Sequence, residues 1–152
     1  MKKKIIIITI ICIFIDFISK LLITSNLEVG ESITIIPNFF SISYIRNTGA
    51  AWGILSNDTL ILAMVSMIFL IFAIKYINDL KTISKLSIFS YGMLIGGIIG
   101  NLIDRLFRNY VVDFFSFNIF GYNFPVFNIA DCFIVISIAL IVIETLLKEG
   151  KK

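Results

Sequence analysis

Asp113 and Asp131 bracket a short aromatic segment in a chain that contains no histidine. Without imidazole the chain cannot run a Ser-His-Asp or Cys-His relay, and it lacks the commonest zinc ligand. Any hydrolysis must rest on carboxylates, and a carboxylate pair is suited to it because one member can act as acid while the other acts as base. Cys132, next to Asp131, has no histidine to lower its thiol pKa and reads as a small buried hydrophobe. Cys12 reads the same way. Cys12 lies in the inner half of the first span and Cys132 near the outer end of the fourth, so they are not expected to come within the roughly 7 Å that a disulfide needs.

The elements that must hold these aspartates are set by hydrocarbon. Of 152 residues, 59% are hydrophobic and 15% charged, with a mean hydropathy of +1.01, a composition for a bilayer rather than for water. A membrane span needs about 20 apolar residues. Stretches at about 5–23, 59–77, 86–103 and 129–147 qualify, so the chain reads as an all-α membrane protein with one domain over 1–152. The first stretch follows Lys2, Lys3 and Lys4 like a secretory leader, but Asp16 and Lys20 stand where small cleavage-site residues would be needed, so it reads as a retained helix.

The net charge of +3 is sorted by side rather than gathered into a nucleic-acid patch. Lys75, Lys81 and Lys85 flank the connection between the second and third spans, and Lys148, Lys151 and Lys152 follow the fourth. These segments and both termini are expected to be cytoplasmic. Arg46, Arg105 and Arg108 lie on the other side, offset by acidic residues such as Glu28, Glu31 and Asp58.

Both longer polar connections then face outward. Within Ser25 to Asp58, β-branched and aromatic runs at 33–36 and 39–45 are separated by Pro37-Asn38, which predicts a small β-hairpin or cradle at the membrane surface. The segment 107–127 is expected to be an aromatic outer loop. Half or more of its rings read as an interfacial belt, and the sharper alternative is a flap hinged at Gly121 and Pro125.

Polar residues inside the spans are costly, at least roughly 2.5 kcal/mol for a charge at the bilayer centre, and so raise functional questions. Gly92, Gly96 and Gly100 form overlapping GxxxG units that predict close helix packing. Asn101, Asp104 and Arg105 follow at the outer end of the same helix. Asp16 and Lys20, spaced i, i+4, either pair, with Lys20 snorkelling outward, or serve a site. Glu144 is expected to snorkel at the inner end of the fourth span. Asn128 can cap that span, whereas Asp131 lies a turn into its apolar run.

Taken in order, DFISK (16–20), NTGAAWG (47–53), GNLIDR (100–105), VVDF (111–114) and FNIAD (127–131) resemble the motifs of lipoprotein signal peptidases, the type II signal peptidases of bacteria. The resemblance spans the chain and implies an aspartic endopeptidase of the cytoplasmic membrane, with its active site near the outer face and Asp113 and Asp131 as the catalytic aspartates. It implies that Asn47, Gly49, Asn101, Asp104, Arg105 and Asn128 shape the site, with Asp16 and Lys20 in the helix-one motif. The implied substrate is a prolipoprotein whose cysteine carries diacylglycerol, cleaved just before that cysteine. No metal or organic cofactor is required, no nucleic acid is involved, membrane lipid is the surrounding partner, and a monomer is expected. Phe17 stands where the family commonly has Gln, which weakens a detailed role for helix one, and Trp52 where Phe is common. The rival classes are a transporter or proton channel using Asp16, Asp113 and Asp131, and a non-enzymatic scaffold built on the glycines. No GxGD run is present to suggest an intramembrane aspartyl protease of that kind.

Overall fold

The computed structural model describes residues 2–49, 58–80 and 83–149. Trp52 and Gly53 of the NTGAAWG run, and Lys81, Lys151 and Lys152, lie outside the described residues. Among the described residues, four helices are long and apolar enough to cross a membrane: α1 (Lys2–Asn26), α2 (Thr59–Asp79), α3 (Lys85–Arg108) and α4 (Ile129–Glu149). α2 and α4 start where expected, and the other ends run beyond the expected spans, by as much as five residues at the end of α3. Large apolar side chains such as Ile7, Phe14, Leu60 and Leu146 are exposed on the helix surfaces, as a lipid-facing surface requires.

Helix α3 is central, and α1, α2 and α4 all pack on it. The reason lies in its small residues. A Cβ added at Gly92 would stand 2.6 Å from Cβ of Ile8, and one at Gly96 would stand 2.6 Å from Cβ of Cys12. The GxxxG stripe is therefore the seat of α1, and Thr9 Oγ1 donates to the Gly92 carbonyl at 3.2 Å across the seam. Gly97 faces the other way, where a Cβ would meet the Ala130 carbonyl at 2.5 Å, so it admits α4. Gly100 touches both neighbours, with Asp16 Oδ2 at 2.5 Å and the Ala130 Cβ at 3.4 Å from the same construction.

Ser84 caps α3 by accepting from the Ser87 amide at 3.0 Å, and Asn109 ends the helix in the left-handed region at φ 60°. That reversal sends the chain directly into β3 (Val111–Ile119). The strand joins β1 (Ser32–Ile36), β2 (Phe40–Asn47) and β4 (Tyr122–Asn123) in an antiparallel sheet of order β1-β2-β3-β4. The hairpin expected from the sequence is thus present, but the second outer segment differs from expectation. Its first half is a sheet strand rather than a loop, and its rings pack on one another: Phe117 stacks on Phe127 at 5.8 Å and on Phe40 at 4.7 Å, and Phe114 is buried. β-branched and aromatic residues read as an interfacial belt in isolation become strand residues once β2 offers them a partner.

The packing seam gives a direct test. Gly96→Val places branched carbons where α1 already sits, and overpacking of this kind costs about 1–3 kcal/mol. The purified protein should unfold at a clearly lower temperature in micelles, whereas Ile10→Leu on the exposed face of α1 should leave the midpoint in place. An unchanged midpoint for Gly96→Val would refute the assignment of this seam.

Candidate functional site

Asp113 owes its direction to the register of β2 and β3. Ile45 pairs with Asp113 and Asn47 with Val111, so Asn47 and Asp113 stand diagonally on one face of the sheet, and Asn47 Nδ2 donates to Asp113 Oδ2 at 2.7 Å. An irregularity in β2 between Ile42 and Ile45 sets this phase, and a slip of one residue would turn the carboxylate to the other face. Asn47 is itself held, because its Oδ1 accepts from the Gly49 amide at 2.9 Å.

The start of α4 is brought to the same place by backbone pairing. Phe114 and Phe115 donate to the Phe127 carbonyl at 3.0 and 2.8 Å, and Phe127 donates back to Phe115 at 3.2 Å. The next residue, Asn128, caps the helix reciprocally with Asp131: Asp131 N donates to Asn128 Oδ1 at 3.0 Å, and Asn128 N donates to Asp131 Oδ2 at 3.1 Å. The Asn128 side chain, with no exposed surface, also donates to Asp113 Oδ1 at 2.6 Å and to Asn101 Oδ1 at 3.1 Å. Asn101 Nδ2 donates to Asp131 Oδ1 at 2.7 Å. Asn128 therefore touches both aspartates, one through its side chain and the other through its backbone.

A buried ionic cluster backs this arrangement. Lys20 is 2% exposed and reaches Asp16 Oδ2 at 2.8 Å, Asp104 Oδ2 at 3.0 Å and Asn101 Oδ1 at 2.9 Å. It does not snorkel, because these acceptors saturate its ammonium inside the protein. Asp104 also pairs with Arg108 at 3.2 Å and accepts from the Val112 amide at 3.1 Å, which ties α3 to β3. Asp16 accepts from the Ala130 amide at 3.0 Å, which ties α1 to α4. Helix α1 is thus part of the site, and Phe17, the position that departed from the family pattern, is exposed and turned away from it.

All ten residues singled out from the sequence fall in or beside this region: Asp113, Asp131, Asn47, Gly49, Asn101, Asp104, Arg105, Asn128, Asp16 and Lys20. Arg105 is the least tied. Its Nε is buried without a hydrogen-bond partner among the described residues, and its guanidinium acts on Asp131 and Asp113 through charge. Sequence reasoning missed Arg108, although the i, i+4 spacing from Asp104 was a usable signal. It also missed the amides of Ala130 and Val112, for which a side-chain pattern carries no sign.

Charge counting sharpens the chemistry. Asp16 and Asp104 are matched by Lys20 and Arg108 in direct contact, whereas Asp113 and Asp131 are held by amides and feel Lys20 and Arg105 only through charge. Burial, and then the charge of Asp131, push the Asp113 carboxyl up to about 7, against the pull of the Asn47 and Asn128 hydrogen bonds. A carboxyl in that range exchanges its proton near neutrality.

Asn101, Arg105 and Asp131 also form the polar head of a groove of about 630 Å³ whose remaining walls are largely apolar. Its floor is α3 (Leu94, Ile98), and its walls come from α2 (Phe69, Phe72) and α4 (Ile134, Ile138). A long apolar segment could lie there with one end against the carboxylates.

Comparison with known proteins agrees with this architecture. One bacterial membrane enzyme, solved by the in meso method at 2.3 Å resolution, is 36% identical, with a TM-score of 0.88 over 97% of this chain and 90% of that one. A second, solved by the same method at 1.9 Å, is 37% identical, with a TM-score of 0.83 over 93% of this chain and 92% of that one. Residues 8–147 match the family described as Signal peptidase (SPase) II. With nearly its whole length matched in sequence and in fold, this multi-pass chain belongs to the signal peptidase II family.

Proposed function

We propose that this protein cleaves a precursor whose cysteine already carries diacylglycerol, cutting just before that cysteine, with Asp113 and Asp131 as the catalytic pair. Family membership supports the coarser statement, a peptidase that removes lipoprotein signal peptides. The observation that carries the finer one is the joining of both aspartates through Asn128 at the head of an apolar groove. A substrate with an apolar helix and lipid tails stays in the bilayer, so its scissile bond must meet the catalytic groups at the membrane rim, where water is also available. Both termini are cytoplasmic and the sheet lies on the outer surface, in keeping with the lysines at 2–4 and 148.

The pair holds one proton because two adjacent carboxylates cannot both ionise cheaply in a poorly solvated site, even with Lys20 and Arg105 acting on them. The ionised member takes a proton from water as the oxygen attacks the scissile carbonyl. The protonated member hydrogen-bonds the carbonyl oxygen and stabilises the developing oxyanion. Collapse of the tetrahedral intermediate breaks the C–N bond, and a carboxyl delivers its proton to the leaving amine.

Asp113→Asn and Asp131→Asn should each lower cleavage of a lipidated precursor in proteoliposomes by at least roughly 10³-fold while the protein still folds and inserts. Robust turnover by either purified variant would sink the pair.

The pH profile gives a second test. Because the Asp113 carboxyl is raised to about 7, its proton is present below that pH and is lost above it. kcat/KM should therefore fall on the alkaline side with an apparent pKa near that value, belonging to the pair. A profile flat through pH 9 would contradict the shared proton.

Asn47→Ala removes a hydrogen bond that favours the ionised form of Asp113. The alkaline limb should move to higher pH, and kcat/KM should drop about tenfold or more. Loss of activity with an unmoved limb would reduce Asn47 to a turn residue.

A further inference from the structure

The groove below the aspartates continues into a second hollow. A cavity of about 230 Å³ at the far end of α4 adjoins it at Tyr76, Tyr91 and Ile141, where the Tyr76 and Tyr91 rings meet at 6.1 Å, so two hollows lie in line along α4 between Asp131 and Glu144. At 1.5 Å per residue along α4, these two carboxylates lie about 20 Å apart.

Glu144 is not simply snorkelling at the helix end. Ser87 Oγ donates to its Oε2 at 2.6 Å and holds the carboxylate over the mouth of the cavity, while Lys148 Nζ meets Oε1 at 2.6 Å. The Lys148 side chain is mostly exposed and can swing into solvent, whereas the Glu144 carboxylate stays in place, so an incoming cation would exchange with Lys148. The charged residues described along this mouth are Glu144, Glu149 and Lys148, so Glu144 is a carboxylate that a cation in the hollow could meet.

The occupant follows from length and charge. A signal peptide has a basic n-region followed by roughly 7–15 apolar residues. As a helix, that apolar stretch measures about 10–22 Å, the span of the groove. With the scissile bond at Asp113 and Asp131, the n-region arrives at Glu144. We infer that Glu144, held by Ser87, receives a lysine or arginine of the substrate's n-region and so reads the end of the signal peptide remote from the cut. This rests on the function proposed above and adds a specificity residue to it.

The test uses the full-length enzyme in proteoliposomes and two lipidated precursors that differ only in having lysines or glutamines in the n-region. The wild type should show a KM about three- to fivefold lower for the basic precursor. Glu144→Gln, which can still accept from Ser87, should lose that preference through KM rather than kcat. Glu144→Lys should favour a precursor with an acidic n-region, and Lys148→Gln, which removes the competing ammonium, should widen the wild-type preference. Cleavage of both precursors by the wild type without discrimination, or a preference kept by Glu144→Gln, overturns the role of Glu144. Failure of the wild type to cleave either precursor overturns the proposed function itself, a separate outcome.

Discussion

The polar interior of this protein converges on the amide of Asn128. Its side-chain nitrogen serves Asn101 and Asp113, its side-chain oxygen takes the Asp131 amide, and its own backbone N–H goes to the Asp131 carboxylate. One residue thereby ends the Phe127 bridge to β3, caps α4 and joins two carboxylates to the C-terminal end of α3. A buried network of this kind rigidifies only when each member is satisfied, because an orphaned donor or acceptor in a poorly solvated site costs about 1–3 kcal/mol. Local helix chemistry and the geometry of the site are therefore the same set of bonds.

Around that hub, close packing and charge matching constrain each other. The glycine face of α3 lets α1 approach until Asp16 stands over Gly100, which is what brings Lys20 within reach of Asp104 and Asn101. A side chain at position 100 would separate the helices and strand the ammonium. The small residues serve the ionic cluster as much as the hydrocarbon packing. The cluster in turn neutralises Asp16 and Asp104, so the electrostatic strain in the region falls on Asp113 and Asp131.

Much of this was legible in the sequence. Hydropathy gave the helices to within a few residues at most ends, because a span length is dictated by the bilayer. The glycines announced a close seam, although not which helix fills it, since spacing on one element says nothing about its partner. The residues matching the motifs lie close together in the structure, whereas the aromatic run from Val111 reads as loop in the sequence and is a strand. A strand at a sheet's centre is recognised by its neighbours, and β2 lies more than sixty residues away in sequence. Lys20 was left undecided because snorkelling or burial depends on acceptors supplied by α3, and Ala130 and Val112 contribute through backbone amides that every residue possesses.

The pair formed by Asp16 and Lys20 has a consequence for biogenesis. Both residues belong to the first helix, at i, i+4, with their charges 2.8 Å apart. That helix therefore enters the bilayer carrying its own counterion, and no later segment has to be present to make its insertion tolerable. When α3 arrives, Asp104 and Asn101 join a pair that already exists. The i, i+4 pair of α1 thus needs no other helix, and the long-range contacts of the site are built onto it.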